Sequence, residues 1–132
     1  MAAAGYIAID REDRRKAAES LEVAAEKLRH GQSVIVFPEQ TRTRTGELLP
    51  FKKGGVLLAL KTQHAIVPVG IAGTFPILKK GSFFLTPGAA AVEIGAPMST
   101  EGKTIADRRA LLTQSRDAVA ALRERARERL DT

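Results

Sequence analysis

The chain has 132 residues, of which 44% are hydrophobic and 27% charged, with a formal net charge of +6 and no cysteine. This size and composition favour one globular domain, and a chain without cysteine has no disulfide framework and no thiolate metal site. Two histidines make a histidine-rich metal site improbable. The sequence contains no apolar run of membrane-spanning length and no signal-peptide pattern at its start. We therefore expect a cytoplasmic protein, and peripheral contact with the inner membrane face stays open.

The first third of the chain has the pattern of a βαβ unit. Residues 6–9 form a short β-branched run that is typical of a buried strand. Asp13 is a suitable N-cap for a helix over about 13–29, which we expect to end at His30-Gly31. Residues 33–37 are a continuous apolar run, which is typical of a strand buried on both faces of a parallel sheet.

The rest of the chain alternates between loops, short strands and helices. Residues 38–53 read as a loop, followed by a helix over about 56–63. Strands are predicted at 66–71, 83–85 and 90–94, and Pro68 requires an edge or a bulge in the first of them. A final amphipathic helix is predicted over about 104–130. We expect a single α/β domain over 1–132, with a mixed, mostly parallel sheet flanked by helices.

The excess positive charge is confined to two segments. Residues 39–62 carry five basic and two acidic side chains, and residues 103–132 carry eight basic and five acidic ones. Such an excess indicates a negatively charged partner: phosphate, nucleic acid or anionic lipid. The alternative is a solvated, charge-rich surface without a partner.

Two polar clusters follow the predicted first and second strands. Ligands bind beyond the carboxyl ends of parallel strands in open α/β sheets. If the two strands are neighbours, Arg11 and Arg42 converge, and two guanidiniums with a threonine hydroxyl form a phosphate site. Glu39 would then orient an arginine or accept a hydrogen bond from a substrate hydroxyl. The alternative is an ordinary loop with weak surface ion pairs.

Four ordered motifs resemble those of the glycerolipid acyltransferases, the family of 1-acyl-glycerol-3-phosphate O-acyltransferases. Phe37-Pro-Glu-Gln-Thr-Arg-Thr43 resembles the block F-P-E-G-T-R-S, and Gly5-Tyr-Ile-Ala-Ile-Asp-Arg11 resembles G-x-x-F-I-D-R. Pro50-Phe-Lys-Lys-Gly54 and Ile66-Val-Pro-Val-Gly-Ile71 are similar to segments that follow in the same order. The resemblance covers about residues 5–98.

The resemblance implies a glycerol-3-phosphate acyltransferase-like fold and a reaction. Such enzymes transfer a fatty acyl group from acyl-coenzyme A or acyl carrier protein to a lysophospholipid in phospholipid biosynthesis. It implies that Arg11 and Arg42 bind the glycerol phosphate and that Glu39 and Thr41 complete the pocket. Lys52 and Lys53 are candidates for its mouth. The acyl donor is a co-substrate, and no metal or other cofactor is expected.

The sequence departs from the family in two ways. The family's catalytic block H-x-x-x-x-D supplies a general base and its orienting aspartate, but Ile35 and Val69 stand five residues after His30 and His64. We expect His30 to cap a helix end and His64 to lie at the wrong edge of the sheet, so no catalytic residue is assigned. The chain therefore reads as an N-terminally truncated member with little turnover alone. Gln40 stands where the family usually has glycine, which allows a positive φ. Glutamine does not easily adopt a positive φ, so either this loop has an ordinary conformation or the phosphate pocket is distorted.

Two other classes of function stay open. The chain could be a non-catalytic fragment that binds anionic lipid headgroups, with its basic final helix on the membrane surface. Against membrane contact, the apolar face of that helix is narrow and rich in alanine, which is more typical of a helix packed on a sheet, so docking on the core is the favoured prediction. The pI near 10.1 also suggests nucleic-acid binding. However, one tyrosine and no tryptophan offer few stacking platforms, so no nucleic-acid partner is expected.

Overall fold

The structure is a computed structural model that describes residues 13–78 and 80–132. The strand predicted at 6–9 and the predicted site residue Arg11 lie outside these residues. Within them, three α-helices pack with one two-stranded sheet. In chain order the elements are α1 (Arg14–Arg29), α2 (Gly54–Thr62), β1 (Val69–Ala72), β2 (Ala91–Ile94), a 3₁₀ turn (Ile105–Asp107) and α3 (Arg108–Asp131).

Helix α1 begins and ends where the sequence predicts. The Asp13 carboxylate accepts hydrogen bonds from the backbone amides of Arg15 at 2.9 Å and Lys16 at 3.3 Å, which is the N-cap arrangement. The helix ends at His30, and the next residue, Gly31, has a φ of +84°. A glycine in the left-handed region is a common way to end a helix.

Helix α2 is buried between the other two helices. Its Leu58 packs with Ala24 and Ala25 of α1, and Val56 and Leu60 pack with Leu111 of α3. A helix that is apolar on all sides belongs in the interior. The 9-residue α2 therefore joins α1 and α3 into one core.

Strands β1 and β2 form an antiparallel ribbon against α3. Val69 pairs with Ile94 and Ala72 pairs with Ala91 at its two ends. The apolar stripe of α3 that contacts the ribbon and α2 is buried at Leu111, Ser115, Leu122 and Ala126. The predicted docking of this helix on the sheet is confirmed. No helix in the described part of the chain is long and apolar enough to cross a membrane.

The prediction of a mostly parallel sheet is wrong for the described residues, because their only ladder is antiparallel. The predicted strands at 33–37 and 83–85 are not strands in the structure. Residues 33–37 join no ladder within the described residues, and Ile35 and Phe37 are 82% and 70% exposed. Phe83 is 98% exposed. Apolar, β-branched composition favours a strand only where neighbouring strands supply partners and burial.

The predicted strand at 66–71 is shorter and begins later than expected. Its regular ladder covers Val69–Ala72, while Ile66 forms an isolated bridge to Met98. Pro68 lies between the bridge and the ladder, and its carbonyl accepts a hydrogen bond from Gly95 at 2.9 Å. Proline has no N–H to donate, which agrees with the predicted irregularity.

Close approach of β1 to α3 depends on Gly70. A Cβ atom at this position would lie well under 3.0 Å from backbone atoms of Leu122 and Arg123. Backbone atoms in the middle of a helix cannot move aside as a flexible side chain does. We therefore expect Gly70→Ala to destabilise the fold by about 3 kcal/mol, the upper end of the usual overpacking cost.

Urea denaturation of Gly70→Ala and Gly54→Ala checks this prediction. Gly54 is the matched control, since a Cβ there would meet only Leu21 at 3.9 Å, an ordinary contact. Equal unfolding midpoints for the two variants would contradict the packing of β1 on α3.

Candidate functional site

The loop over residues 38–53, called here the motif loop, is closed by hydrogen bonds near its two ends. The amide of Gln40 donates to the carbonyl of Phe37 at 3.0 Å, and the amide of Lys52 donates to the carbonyl of Pro38 at 2.8 Å. The amide of Leu49 donates to Oε2 of Glu39 at 2.9 Å. The Glu39 carboxylate therefore binds the loop's own backbone. Among the ion pairs of the described residues, none joins Glu39 to an arginine.

Gln40 has a left-handed backbone conformation, with a φ of +60°. An L-residue other than glycine pays about 1–2 kcal/mol in this region. The sequence raised two alternatives for this position: an ordinary conformation or a distorted pocket. The structure shows that glutamine adopts the conformation that glycine would adopt without strain.

Thr41 is in contact with a lysine that is distant in sequence. The Nζ atom of Lys80 donates to Oγ1 of Thr41 at 2.8 Å. This contact places an exposed ammonium group one residue from Arg42. The sequence predicts a turn at Lys79-Lys80-Gly81, and Lys80-Gly81-Ser82 also fits the family resemblance, but neither pattern indicates that Lys80 contacts Thr41.

The middle of the motif loop is stiffened by threonine hydroxyls. The hydroxyl of Thr43 accepts from the amide of Thr45 at 3.2 Å, and the hydroxyl of Thr45 accepts from the amide of Glu47 at 3.3 Å. Short-range bonds of this kind satisfy turn backbone without regular secondary structure. They fix the segment immediately after Arg42.

The far side of the motif loop is bonded to α3. Arg116 donates from Nη2 to the carbonyl of Leu48 at 2.9 Å and from Nε to that of Leu49 at 3.4 Å. Arg123 donates to the carbonyl of Gly46. Sequence reasoning missed both arginines, since charge count alone cannot show which basic residues of a helix meet a loop.

Four basic side chains of the motif loop are exposed: Arg42, Arg44, Lys52 and Lys53. Lys53 also precedes α2 as its N-cap residue, where the helix dipole adds positive potential. Glu39, Thr41, Arg42, Lys52 and Lys53 all lie on the motif loop, whose two ends are joined by the bond from Lys52 to Pro38. The predicted partner Arg11 lies outside the described residues.

An open cleft of about 260 Å³ lies between the motif loop and α3. It is lined by Pro50, Phe51, Leu112, Thr113 and Arg116. Its volume is below the range of about 300–1,000 Å³ that is usual for small-molecule pockets. It is therefore too small to enclose a whole lysophospholipid.

Among the described residues, neither histidine ring is hydrogen-bonded to a carboxylate that would orient it as a general base, and Nδ1 of His64 is buried without a partner there. Nδ1 of His30 lies 2.7 Å from the carbonyl oxygen of Glu26, as predicted for a helix-end cap. His64 lies in the turn between α2 and β1, and its carbonyl accepts a hydrogen bond from Thr100 at 2.8 Å. In residues 13–78 and 80–132, no group of acidic and histidine side chains is placed to hold a metal ion.

The sequence profile of the family described as Acyltransferase matches residues 1–72. The chain belongs to this acyltransferase family. The matched region contains all four sequence motifs and includes the motif loop, α2 and β1.

Curated acyltransferase relatives match a similar region. The chain is 40% identical over 99 residues to a 1-acyl-sn-glycerol-3-phosphate acyltransferase of Cocos nucifera, covering 74% of this chain and 32% of the relative. It is 37% identical over 121 residues to the alpha form of that enzyme in Mus musculus, covering 90% and 42%. The chain therefore spans about a third to two fifths of the length of these relatives.

A solved acyltransferase structure has the same fold. The crystal structure of the 1-acyl-sn-glycerophosphate (LPA) acyltransferase PlsC from Thermotoga maritima matches with a TM-score of 0.73 and 34% identity. The match covers 86% of this chain and 45% of PlsC. The predicted likeness in fold is confirmed at this level, although the described sheet is the small antiparallel one.

The strain at Gln40 gives a prediction about the acyltransferase motif. Gln40→Gly removes the left-handed penalty of about 1–2 kcal/mol, while the unfolded chain gains backbone entropy that offsets about 0.4–1 kcal/mol of it. We expect a net stabilisation of about 0.5–1 kcal/mol, measured by urea denaturation.

Gln32→Gly is the matched control, because Gln32 lies in an irregular segment without a positive φ. It is expected to be neutral or destabilising. A loss of stability in Gln40→Gly equal to that in Gln32→Gly would contradict the left-handed conformation.

Proposed function

We propose that this chain binds the glycerol phosphate of a lysophospholipid at the motif loop. The proposed reaction is transfer of a fatty acyl group from acyl-coenzyme A or acyl carrier protein to 1-acyl-glycerol 3-phosphate. The observation that carries the proposal is the structure of the F-P-E-Q-T-R-T segment, where Thr41 and exposed Arg42 lie on a closed loop. The names of the relatives support the choice of substrate.

The chemistry of the motif loop suits a phosphate ligand. A guanidinium presents a planar fork of donors that matches two phosphate oxygens. Arg42 supplies such a fork, and Lys80 on Thr41 supplies a second cation nearby. In our proposal Arg11 adds a second guanidinium, Thr41 a hydroxyl, and Lys52 and Lys53 positive potential at the entrance. Glu39 acts through the backbone of Leu49, to which it is bonded.

The proposed reaction needs a base that this sequence does not assign. The acceptor hydroxyl must lose its proton as it attacks the thioester carbonyl, and the thiol of the donor then leaves. The phosphate is bound but not transferred, so the proposal requires no metal or other cofactor. Loss of a general base typically lowers the rate by about 10²–10⁴-fold. We therefore propose that the 132-residue chain binds the acceptor but has little turnover alone.

The whole of residues 1–132 is proposed to act as one acyltransferase-like domain at an anionic membrane surface. Helices α1 and α3 share the core of α2, which favours a single folding unit. The alternative within the same chemistry is a fragment that binds anionic lipid headgroups and catalyses nothing.

The first functional prediction concerns Arg42. We expect Arg42→Ala to weaken binding to lysophosphatidate in phosphatidylcholine vesicles by roughly 10- to 150-fold. A hydrogen bond to a charged group is worth about 1.5–3 kcal/mol, and every 1.4 kcal/mol is tenfold in Kd. Vesicle sedimentation measures the affinity.

Two controls separate phosphate recognition from simple charge attraction. Arg15→Ala removes the same charge from α1, where Arg15 is largely exposed and pairs only loosely with Glu19 at 3.9 Å, so it should bind as the parent does. Vesicles with phosphatidylserine in place of lysophosphatidate test anionic surfaces in general. Equal binding by the two variants would contradict a site at Arg42, and salt-dependent retention on DNA would favour a nucleic-acid partner.

The second functional prediction concerns turnover. The 132-residue chain, given lysophosphatidate and either acyl-coenzyme A or acyl carrier protein, is expected to form no phosphatidate above the rate of Arg42→Ala. Thin-layer separation of radiolabelled product measures this rate. Turnover that disappears in Arg42→Ala would contradict the proposal that this chain has little activity alone. His30 and His64 would then be the next residues to replace.

A further inference from the structure

Arg116 and Arg123 lie two turns apart on the same face of α3. Both side chains reach the motif loop, and both contacts are part-buried. Together they bind the carbonyls of Gly46, Leu48 and Leu49. Two guanidiniums on one face of α3 thus donate to three backbone carbonyls of one loop segment.

These contacts differ from the other arginine contacts of α3. Arg125 and Arg129 pair with the buried carboxylate of Glu93 on β2, and Arg127 pairs with Glu124 one turn away. Among the ion pairs of the described residues, none contains Arg116 or Arg123. Their donors are directed at backbone carbonyls, so they act on the conformation of the loop.

Leu49 connects Arg116 to the motif. Its carbonyl accepts from Nε of Arg116 at 3.4 Å, and its amide donates to Oε2 of Glu39 at 2.9 Å. Glu39 is three residues before Arg42. One peptide segment therefore joins the helix, through two hydrogen bonds, to the carboxylate at the start of the phosphate-binding motif.

We propose that Arg116 and Arg123 are positioning residues, which fix the motif loop in the conformation that binds the acceptor phosphate. The proposal rests on the proposed function of the loop. A loop ordered before binding loses less conformational freedom when the ligand binds, which raises affinity. Without these arginines the loop carbonyls become solvated, and the segment from Gly46 to Leu49 samples other conformations.

The test compares glutamine and lysine variants with a charge-matched control. Arg116→Gln/Arg123→Gln removes both forks, and Arg116→Lys/Arg123→Lys keeps both charges but loses the paired donors. Arg127→Gln/Arg125→Gln removes two positive charges from the same helix without touching the loop. Two measurements are made on the full 132-residue chain: hydrogen exchange of the loop amides, and Kd for vesicles that contain lysophosphatidate.

We expect the glutamine pair at 116 and 123 to weaken binding about tenfold and to speed exchange of the Leu49 amide by a similar factor. The lysine pair should recover part of the affinity, because each ammonium can still donate to one carbonyl. The control pair should change Kd less than twofold. Because unfolded protein in equilibrium with folded protein raises the apparent Kd, each Kd is multiplied by the folded fraction of that variant, which circular dichroism measures under the same conditions.

Three results would overturn the proposal. Faster exchange with an unchanged Kd in the glutamine pair would show a purely structural role. An equal loss of affinity in the control pair would show that net charge alone sets binding. If Arg42→Ala also binds as the parent does, the proposed function itself fails, and the positioning role fails with it. Should the glutamine pair not fold, the lysine pair gives the same comparison.

Discussion

The contact between the backbones of β1 and α3 at Gly70 determines how the rest of the described structure is arranged. A side chain at this position would overlap Leu122 and Arg123, so the two elements can pack this closely only through glycine. Once α3 is seated there, its apolar stripe covers one face of the ribbon and the end of α2. The same seating directs its arginines to two separate targets, Glu93 on the ribbon and the carbonyls of the motif loop.

The sequence has two basic segments, 39–62 and 103–132, and does not show which of them binds an anionic partner. In the structure the basic side chains of these segments have different surroundings. Most arginines of α3 are engaged within the fold: with carbonyls, with Glu93 or with a neighbouring glutamate. The cations of the motif loop differ from those of α3 in their surroundings, because Arg42 and Arg44 are exposed to solvent. Most guanidiniums of the final helix thus have a partner within the fold, whereas no ion pair of the described residues contains Arg42 or Arg44.

The sequence predicts features that depend on residues close together in the chain better than features that depend on distant residues. The cap at Asp13, the end of α1 at His30 and the apolar stripe of α3 depend on residues within one or two turns, and the patterns predict them correctly. Strands depend on partners elsewhere in the chain. The apolar runs at 33–37 and 83–85 were therefore predicted as strands, although neither forms a ladder with the described residues. The bonds from Arg116 to the motif loop join residues 67 and 68 positions apart, and no local pattern contains them.

The resemblance implies that Glu39 completes a phosphate pocket, and the structure adds one partner of its carboxylate, the amide of Leu49. Residue type alone does not indicate this partner, since a carboxylate accepts equally well from an arginine, a substrate hydroxyl or a backbone amide. The structure alone identifies Lys80 as a neighbour of Thr41.

The energetics of the motif loop explain how Gln40 is tolerated in a glycine position. The left-handed conformation costs about 1–2 kcal/mol, whereas a hydrogen bond contributes about 0.5–1.5 kcal/mol net. Bonds at Phe37, Pro38 and Glu39 surround the strained residue, and two or three of them offset the cost. These bonds hold Gln40 in a left-handed conformation, which glycine adopts without strain. The bonds from α3 extend the same bracing to the other side of the loop, which makes the conformation of the motif a property of the whole fold.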